Sequence, residues 1–276
     1  NAISWRMNYT IPLQENSGAV RVQDLMVLQI VQNFGWERPV YFAVTCSEDS
    51  RIGLDAYLRM EGMAFRLVPF RQPNELLAVN EPVLRAQLYK EDNSHSKEYK
   101  PGFLFRTLSD STMYLDENHI RLTQNYRNSF IRLHLYYKTT GEKEKAIDVL
   151  DQMERKIPVA IVPMDYRLMF DIGRFYRELG ANDKANKSFD YVVAQGLDVI
   201  KNRPTEINNY NNAYYYLMEV YKFRGDYTQA LDMLKGMQTI FGQSREILAL
   251  QEELEISAGL RKPVAVDTSK KDNIAQ

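Results

Sequence analysis

A residue spacing that recurs three times in the second half of the chain restricts the fold more than any other feature. In each copy an aromatic residue lies four positions before a glycine, an alanine lies five positions after that glycine, and a bulky apolar residue follows four positions later. The copies are Tyr137, Gly141, Ala146, Leu150; Tyr176, Gly180, Ala185, Phe189; and Tyr221, Gly225, Ala230, Leu234. Glycine permits a tight turn between antiparallel helices, and alanine lets the second helix approach the first closely. The pattern therefore predicts three helical hairpins.

These hairpins resemble tetratricopeptide repeats, which stack into an α-solenoid. The apolar position of that family's first helix is filled in every copy, by Leu133, Ile172 and Leu217. Pro158 ends the first copy where the family usually has a proline, but the other two copies lack it. Successive glycines are 39 and 45 residues apart, whereas the family repeats about every 34 residues. We therefore expect a longer rear helix in the second copy, and a closing helix from Ser244 to Ala258.

The first third of the chain is mixed in character and predicts a small α/β module. Residues 22–34 are apolar almost all round, as in a helix that is buried on several sides, and Gly35 ends them. Two β-branched and aromatic runs, at 40–45 and 64–68, enclose a short amphipathic stretch at 51–61. Strand, helix and strand in this order predict a βαβ unit with two parallel strands.

The predicted fold class is α+β/α-helical, with a small α/β module followed by a tetratricopeptide-like α-solenoid. The module is assigned to residues 1–115, the three hairpins and the closing helix to 116–260, and a disordered tail to 261–276. Within the module, prolines punctuate residues 71–102 and predict irregular backbone, and residues 103–108 are a further strand candidate.

Composition excludes several classes of protein. The 35 Lys and Arg residues are balanced by 36 Asp and Glu residues, so the chain lacks the basic excess that nucleic-acid binding needs. The single cysteine, Cys46, excludes an internal disulfide and a zinc site of several thiolates. No apolar stretch approaches the roughly 18–20 residues of a membrane span. Because the sequence has no initiator methionine or signal segment, we expect it to be part of a longer protein.

Common catalytic and cofactor motifs are missing from the sequence. It has no phosphate-binding glycine loop, no H-E-x-x-H and no C-x-x-C, and we expect no cofactor, no metal site and no catalytic residue. Cys46 lies near Glu48 and Asp49, whose charges work against a thiolate nucleophile. Asp116 and Glu117 precede a long helix and are interpreted as capping residues. The three histidines are scattered along the chain, at His95, His119 and His134.

One candidate ligand site lies after the first predicted strand. Ligands of open parallel sheets bind beyond the carboxyl ends of the strands, and polar residues gather at that end here. They are Thr45, Ser47, Glu48, Asp49 and Arg51.

The hairpins offer a second candidate surface, since stacked hairpins form a concave face lined by their first helices. By repeat position the face includes Asn128, Lys138, Arg167, Phe170, Arg174, Arg177, Asn212, Tyr215 and Lys222. Its basic character predicts an acidic or carboxylate-bearing protein or peptide partner. The tyrosine-rich run at 208–216 has two interpretations, packing between hairpins or contact with a partner, and Tyr214 is assigned to packing.

A more specific resemblance is carried by the module. Its residues are the run from Arg38 to Thr45 (RPVYFAVT), then Gly53-Leu54, Tyr57-Leu58, Glu61-Gly62 and the run from Arg66 to Pro69. Further matching residues are those at 22–25, 114–118 and 125–127. Together they resemble the C-terminal soluble region of a bacterial family of polytopic membrane proteins similar to protein O-mannosyltransferases. The resemblance implies that any glycosyl-transfer chemistry depends on acidic residues of an upstream membrane domain, so no catalytic residue is carried over to this sequence.

These observations lead to three hypotheses about function. The first is a non-catalytic accessory domain on the periplasmic face of the cytoplasmic membrane, which positions acceptor or partner proteins for the membrane domain. The second is a free-standing tetratricopeptide-type scaffold without a link to glycosylation. The third, less favoured, is an independent enzyme that uses the α/β module.

Overall fold

The computed structural model describes residues 3–7, 11–14, 17–90, 102–105 and 108–262. The chain divides into two compact units, Asn1–Met164 and Asp165–Gln276. The domain boundary that we predicted between residues 115 and 116 lies inside the first unit. Most of the predicted tail, residues 263–276, lies outside the described part of the chain.

The first unit contains short strands, two helices of the module and the first long helix pair. Its elements are β1 (Ile11–Gln14), β2 (Ser17–Ala19), α1 (Val22–Asn33), β3 (Tyr41–Ala43), β4 (Leu58–Met60), β5 (Ala64–Leu67), α2 (Glu81–Tyr89), α3 (Glu117–Thr139) and α4 (Lys143–Lys156). Strands β1 and β2 form an antiparallel hairpin, and β3, β5 and β4 form a three-stranded sheet in that order.

The three-stranded sheet is antiparallel throughout, so the predicted parallel βαβ unit is wrong. The segment 51–61 is not a helix, because Ile52 and Gly53 both adopt left-handed backbone angles, with φ of 50° and 81°. The chain makes two short 3-10 turns there and then enters β4. Gly62, with φ of 74°, turns β4 directly into β5, which places the two strands side by side in opposite directions.

Helix α1 was predicted at the right place but with the wrong burial. Asp24 and Val31 are its buried residues, and Val22 and Met26 are 74% and 61% exposed. One face of α1 packs on the core around Phe42 and Leu58, and its opposite apolar face is exposed.

Helix α2 lies within the region that was predicted to be irregular. Pro82 occupies the first turn of α2, where its missing N–H would have no intrahelical partner and where proline is well tolerated. Leu84 and Leu88 are fully buried and anchor the helix. The predicted strand at 103–108 is not seen in the described residues 103–105 and 108. Phe105 instead packs edge-on against Tyr126, at a centroid distance of 5.5 Å.

The α3–α4 pair is bonded to the module within the first unit. The Tyr89 hydroxyl donates to Asp148 Oδ2 at 2.7 Å, and Lys156 Nζ donates to the Lys90 carbonyl at 3.0 Å. The Tyr137 hydroxyl also donates to Glu81. These bonds explain why the module and the first helix pair form one compact unit.

The described part of the second unit, residues 165–262, contains five α-helices. They are α5 (Tyr166–Glu178), α6 (Asn182–Asn202), α7 (Ala213–Arg224), α8 (Tyr227–Phe241) and α9 (Arg245–Ser257). Each helix packs on the next one along the chain. Helix α6 is the long rear helix expected for the second copy, and α9 matches the expected closing helix, with the Ser244 hydroxyl accepting from the Ile247 N–H at its start.

The three predicted hairpins are present as α3–α4, α5–α6 and α7–α8, and their turns are equivalent. Each turn glycine is left-handed, with φ of 80°, 77° and 75° at Gly141, Gly180 and Gly225. In each turn the residue after the glycine donates its N–H to the carbonyl of the signal tyrosine, at 2.8, 2.8 and 2.9 Å. The signal alanines are all buried, at Ala146, Ala185 and Ala230. The recurring spacing thus encodes the same turn three times.

None of the described helices is long and apolar enough to cross a membrane.

A buried arginine secures the loop after the first hairpin. Arg127, in α3, is 0% exposed. Its guanidinium donates to the carbonyls of Ile157 and Pro163, at 3.3 and 3.1 Å, and also to that of Val162. Buried carbonyls need donors because no water reaches them. Arg127 therefore provides the hydrogen bonds that this loop cannot make for itself.

We expect R127M to lower the free energy of unfolding by about 3 kcal/mol, because methionine fills much of the same space but leaves the buried carbonyls of Ile157 and Val162 without this donor. Urea denaturation monitored by circular dichroism measures this loss. The matched control is R121M, six residues earlier in α3 at an exposed position, which should change stability by less than about 0.5 kcal/mol. Equal effects of the two variants would contradict the role assigned to Arg127.

Candidate functional site

The predicted strand-end residues lie in the turn after β3 and in the 3-10 helix Glu48–Arg51. The reason given for the site is wrong, because an antiparallel sheet has no common carboxyl edge of parallel strands. Ser47 and Ser50 bond to each other through their hydroxyls at 2.9 Å. Glu48 and Arg51 nevertheless line a pocket, whereas Thr45, Ser47 and Asp49 are not among its lining residues.

The pocket lies within the first unit and has a volume of about 400 Å³. That volume is within the range of small-molecule and peptide side-chain sites. Its apolar lining consists of Ala56, Leu58, Phe65 and Ala78. Its polar lining consists of Glu48, Arg51, Asp55, Gln72, Asn74, Glu75 and Arg132. The site therefore combines an apolar wall with charged and amide groups from four separate parts of the first unit.

Two arginines contribute most of the positive charge of this pocket. Arg51 Nη1 lies 3.0 Å from Asp55 Oδ1, and the Arg51 guanidinium lies 4.7 Å from the centre of the Phe65 ring. Arg132, in α3, reaches the pocket and pairs with Glu75 at 2.5 Å. Arg132 and Glu75 were not among the predicted site residues, since they are 57 positions apart and carry no local signal.

The predicted concave-face residues are divided between the two units. Asn128 and Lys138 belong to α3 of the first unit, and the other seven belong to the second unit. Arg167 forms a close ion pair with Asp165, with its Nη2 at 2.6 Å from Oδ2. Lys222 lies 3.5 Å from Glu219 and 3.3 Å from Glu253. Acidic neighbours therefore offset part of the predicted positive charge.

Arg174 and Arg177 are the exposed cations of α5. Arg174 lies 3.7 Å from Asp171 and 3.8 Å from Glu178, which is longer than a hydrogen bond. Burial raises the pKa of Asp171, and the charge of Arg174 opposes that rise. Arg177 lies over the Phe223 ring at 4.5 Å and donates to the Phe223 carbonyl at 2.7 Å. Both arginines therefore remain at the surface of the second unit.

Two predicted contact residues have structural roles instead. Phe170 is 4% exposed, packs edge-on against Tyr216 and stacks on Phe223, so the prediction that it contacts a partner is wrong. Its burial follows from the aromatic residues that α6 and α7 bring against it. Asn212 caps α7, where its side chain accepts from the Tyr215 N–H.

The tyrosines of the run at 208–216 differ in exposure, so that some of them pack between helices and others lie at the surface. Tyr214 packs on Gly236, where an added Cβ would lie 2.2 Å from its ring, as the packing assignment predicts. Tyr216 packs edge-on against Phe170. Tyr210 and Tyr215 are 87% and 43% exposed and are free to contact a partner.

The other candidate residues are explained by folding. The Asp116 side chain accepts from the His119 N–H at 2.9 Å, and this bond confirms that it caps α3 and lowers its pKa. His134 is fully buried, with Nδ1 at 2.9 Å from the Ala146 carbonyl. His95 lies outside the described residues. Within the described ranges, no group of three or more His, Cys, Asp or Glu side chains could hold a metal ion.

A buried carboxylate joins several of the residues that carry the module's resemblance. Glu61 Oε1 accepts from Asn80 Nδ2 at 2.6 Å and from Arg59 Nη2 at 3.0 Å, and Oε2 accepts from the Tyr41 hydroxyl at 3.1 Å. Arg66 Nη1 lies 3.7 Å away. Burial raises the pKa of Glu61, but these hydrogen bonds and charges outweigh it, and the net pKa is lowered. Ionised Glu61 therefore links β3, β4 and β5 through these hydrogen bonds and the charge of Arg66.

We expect E61Q to lower the free energy of unfolding by about 2 kcal/mol at pH 7, because charge-assisted hydrogen bonds are lost. The folded-state pKa is below the ordinary value of 4.5. The stabilisation by Glu61 is therefore present above that value and is lost as pH falls through the folded-state pKa. The difference between E61Q and the parent should shrink below about pH 4.5.

Urea denaturation of both proteins across this pH range tests the prediction. The control is E37Q, at an exposed position of the same module. A loss of stability in E61Q that stayed constant down to pH 3 would contradict the ionised state of Glu61.

Comparison with known proteins identifies one part of the chain. No curated protein and no solved structure matches the sequence. Residues 3–84 match the model of a protein family described as TMEM260-associated domain 2. The matched segment includes α1, the three-stranded sheet and the start of α2, together with every pocket residue except Arg132. The α/β part of the first unit is therefore similar to a domain associated with the membrane protein family TMEM260.

Proposed function

We propose that this chain is a non-catalytic protein-interaction region of a membrane glycosyltransferase-like protein, placed on the periplasmic face of the cytoplasmic membrane. There it positions acceptor or partner proteins for the membrane domain. The match of residues 3–84 to TMEM260-associated domain 2 supports the link to a membrane protein. The resemblance of the module to the soluble region of an O-mannosyltransferase-like family supports the link to glycosyl transfer.

The observation that carries the interaction role is the threefold recurrence of one helix-pair turn. Each turn has a left-handed glycine, and the residue after that glycine donates its N–H to the carbonyl of the preceding tyrosine. This recurrence supports the resemblance to tetratricopeptide hairpins. Hairpins of this kind present their first helices to extended peptides or partner helices. We infer that α5 and α7 supply such a surface in the second unit.

The chemistry of that surface favours a partner with carboxylates. Arg174 and its two acidic neighbours are each roughly half exposed and are separated by more than 3.5 Å. Exposed ion pairs contribute only about 0–1 kcal/mol, so a partner carboxylate can replace these neighbours at little cost. Tyr215 adds an exposed aromatic ring on α7.

The second hypothesis, a free-standing scaffold without a link to glycosylation, uses the same surface. The two hypotheses differ in what precedes the chain in its gene. Several membrane-spanning segments encoded ahead of Asn1 would support the first hypothesis. An initiator methionine directly ahead of Asn1 would contradict it and favour the scaffold.

We expect the double variant R174E/R177E to weaken binding of an acidic peptide about tenfold or more, because two attractive charges become repulsive. The probe is a fluorescein-labelled peptide of alternating glutamate and leucine, and its affinity is measured by fluorescence anisotropy. The same peptide with glutamine in place of glutamate should bind the parent protein weakly.

The matched control is R203E, at the C-terminal end of the rear helix α6, where the arginine is also paired with acidic neighbours. This variant should retain the affinity of the parent. Unchanged affinity in R174E/R177E, with an intact circular dichroism spectrum, would overturn the assignment of this surface.

A further inference from the structure

The pocket of the first unit is lined by two arginines, and the proposed function gives this pocket no role. Its two arginines are mostly buried, with 15% of the Arg51 side chain and 20% of the Arg132 side chain exposed. They come from separate elements, the 3-10 helix after β3 and the long helix α3. Both are therefore held in place by the fold and line the same cavity.

The carboxylate that faces Arg132 is held much less firmly than Arg132 itself. The Glu75 side chain is 81% exposed and extends from the irregular segment between β5 and α2. An ion pair with so exposed a partner adds little to stability. Glu75 thus occupies a position at Arg132 that another carboxylate can take.

Arg51 also has unused hydrogen-bonding capacity. Asp55 accepts from its Nη1, and the guanidinium lies over the Phe65 ring. Its Nε is buried, and none of the described residues accepts a hydrogen bond from it. Arg51 therefore has a buried donor that the described fold leaves without an acceptor.

We propose that this pocket binds a single carboxylate carried on a short apolar group, as at the C-terminal residue of a peptide. The carboxylate replaces Glu75 at Arg132, and Arg51 is the second cationic donor group of the site. The apolar group lies on the wall formed by Leu58 and Ala78, which are both buried. Capture of a peptide's terminal carboxylate is a known mode of recognition, there by backbone N–H groups, and arginine side chains form equally directional, charge-assisted hydrogen bonds with carboxylates.

The remaining charges of the pocket restrict the ligand further. Glu48 and Asp55 add two negative charges to its lining. They repel a polyanion and tolerate one carboxylate that is paired with an arginine. Inorganic phosphate or citrate should therefore bind more weakly than a monocarboxylate with an aliphatic chain. The pocket shares no residue with the α5–α7 surface, so neither proposal depends on the other.

The two partners of the ion pair should respond in opposite directions to substitution. E75Q removes the internal competitor and should tighten binding by about two- to fivefold. R132Q removes the main cation and should weaken binding by about tenfold or more. The probe is N-acetyl-alanyl-leucine with a free carboxylate, titrated by isothermal calorimetry or by NMR chemical shifts of the full chain.

Three further ligands establish the chemical class. The C-terminal amide of the same dipeptide should not bind measurably. A second ligand is a peptide that has an amidated C-terminus and carries its carboxylate on a glutamate side chain. It tests whether the pocket distinguishes a terminal carboxylate from a side-chain carboxylate. The third ligand, 4-methylpentanoic acid, tests whether a free acid without a peptide bond is sufficient. Weaker binding of both alternatives than of the dipeptide supports the peptide terminus, and tighter binding of either overturns it.

Matched controls exclude general effects of charge. E37Q and R121Q change exposed residues of the first unit outside the pocket lining and should leave the affinity unchanged. R132K should recover part of the affinity that R132Q loses, since lysine keeps the charge but not the two-pronged geometry. Unchanged or weaker binding in E75Q, or equal binding of the amide, would overturn the proposal even if R174E/R177E behaved as expected.

Discussion

The left-handed turn residue is the constraint on which both units depend. Gly62 turns β4 into β5, and equivalent glycines at 141, 180 and 225 turn each long helix into its partner. A side chain at these angles is strained, since the Cβ approaches the backbone. Because each turn reverses the chain within a few residues, it brings neighbouring elements into contact and lets small or apolar residues pack between them.

The helix pairs could be predicted from sequence because their determinants are local. The glycine, the tyrosine before it and the alanine after it all belong to one turn, and the spacing is visible without knowledge of the fold. The sheet could not be predicted in the same way. Ile52 has a left-handed φ of 50° although isoleucine disfavours it. The neighbouring Gly53 is only a weak signal of this break, because single glycines also occur inside helices. Tertiary packing of Ile52, which is 2% exposed, selects this conformation.

The same contrast applies to the candidate sites. Glu48 and Arg51 were found because they follow a strand, although the sheet geometry used to argue for them was wrong. Arg132 and Glu75 meet only after the chain has folded, so their pairing has no sequence signal. Phe170 was assigned to a binding face by its repeat position, but Phe223 and Tyr216 cover it. Repeat position indicates which side of a helix a residue is on, and the neighbouring helix decides whether the residue is exposed.

The pocket is lined in part by a residue that lies outside the segment matched by the family model. The family match ends at residue 84, within α2, yet α2 bonds to the first hairpin through Glu81 and Tyr89. Arg132, which provides one of the two cations of the pocket, comes from that hairpin. The matched segment alone would therefore have an incomplete pocket, with Glu75 lacking its partner. The compact unit is therefore larger than the matched domain, since the first helix pair supplies both packing for the module and part of the pocket lining.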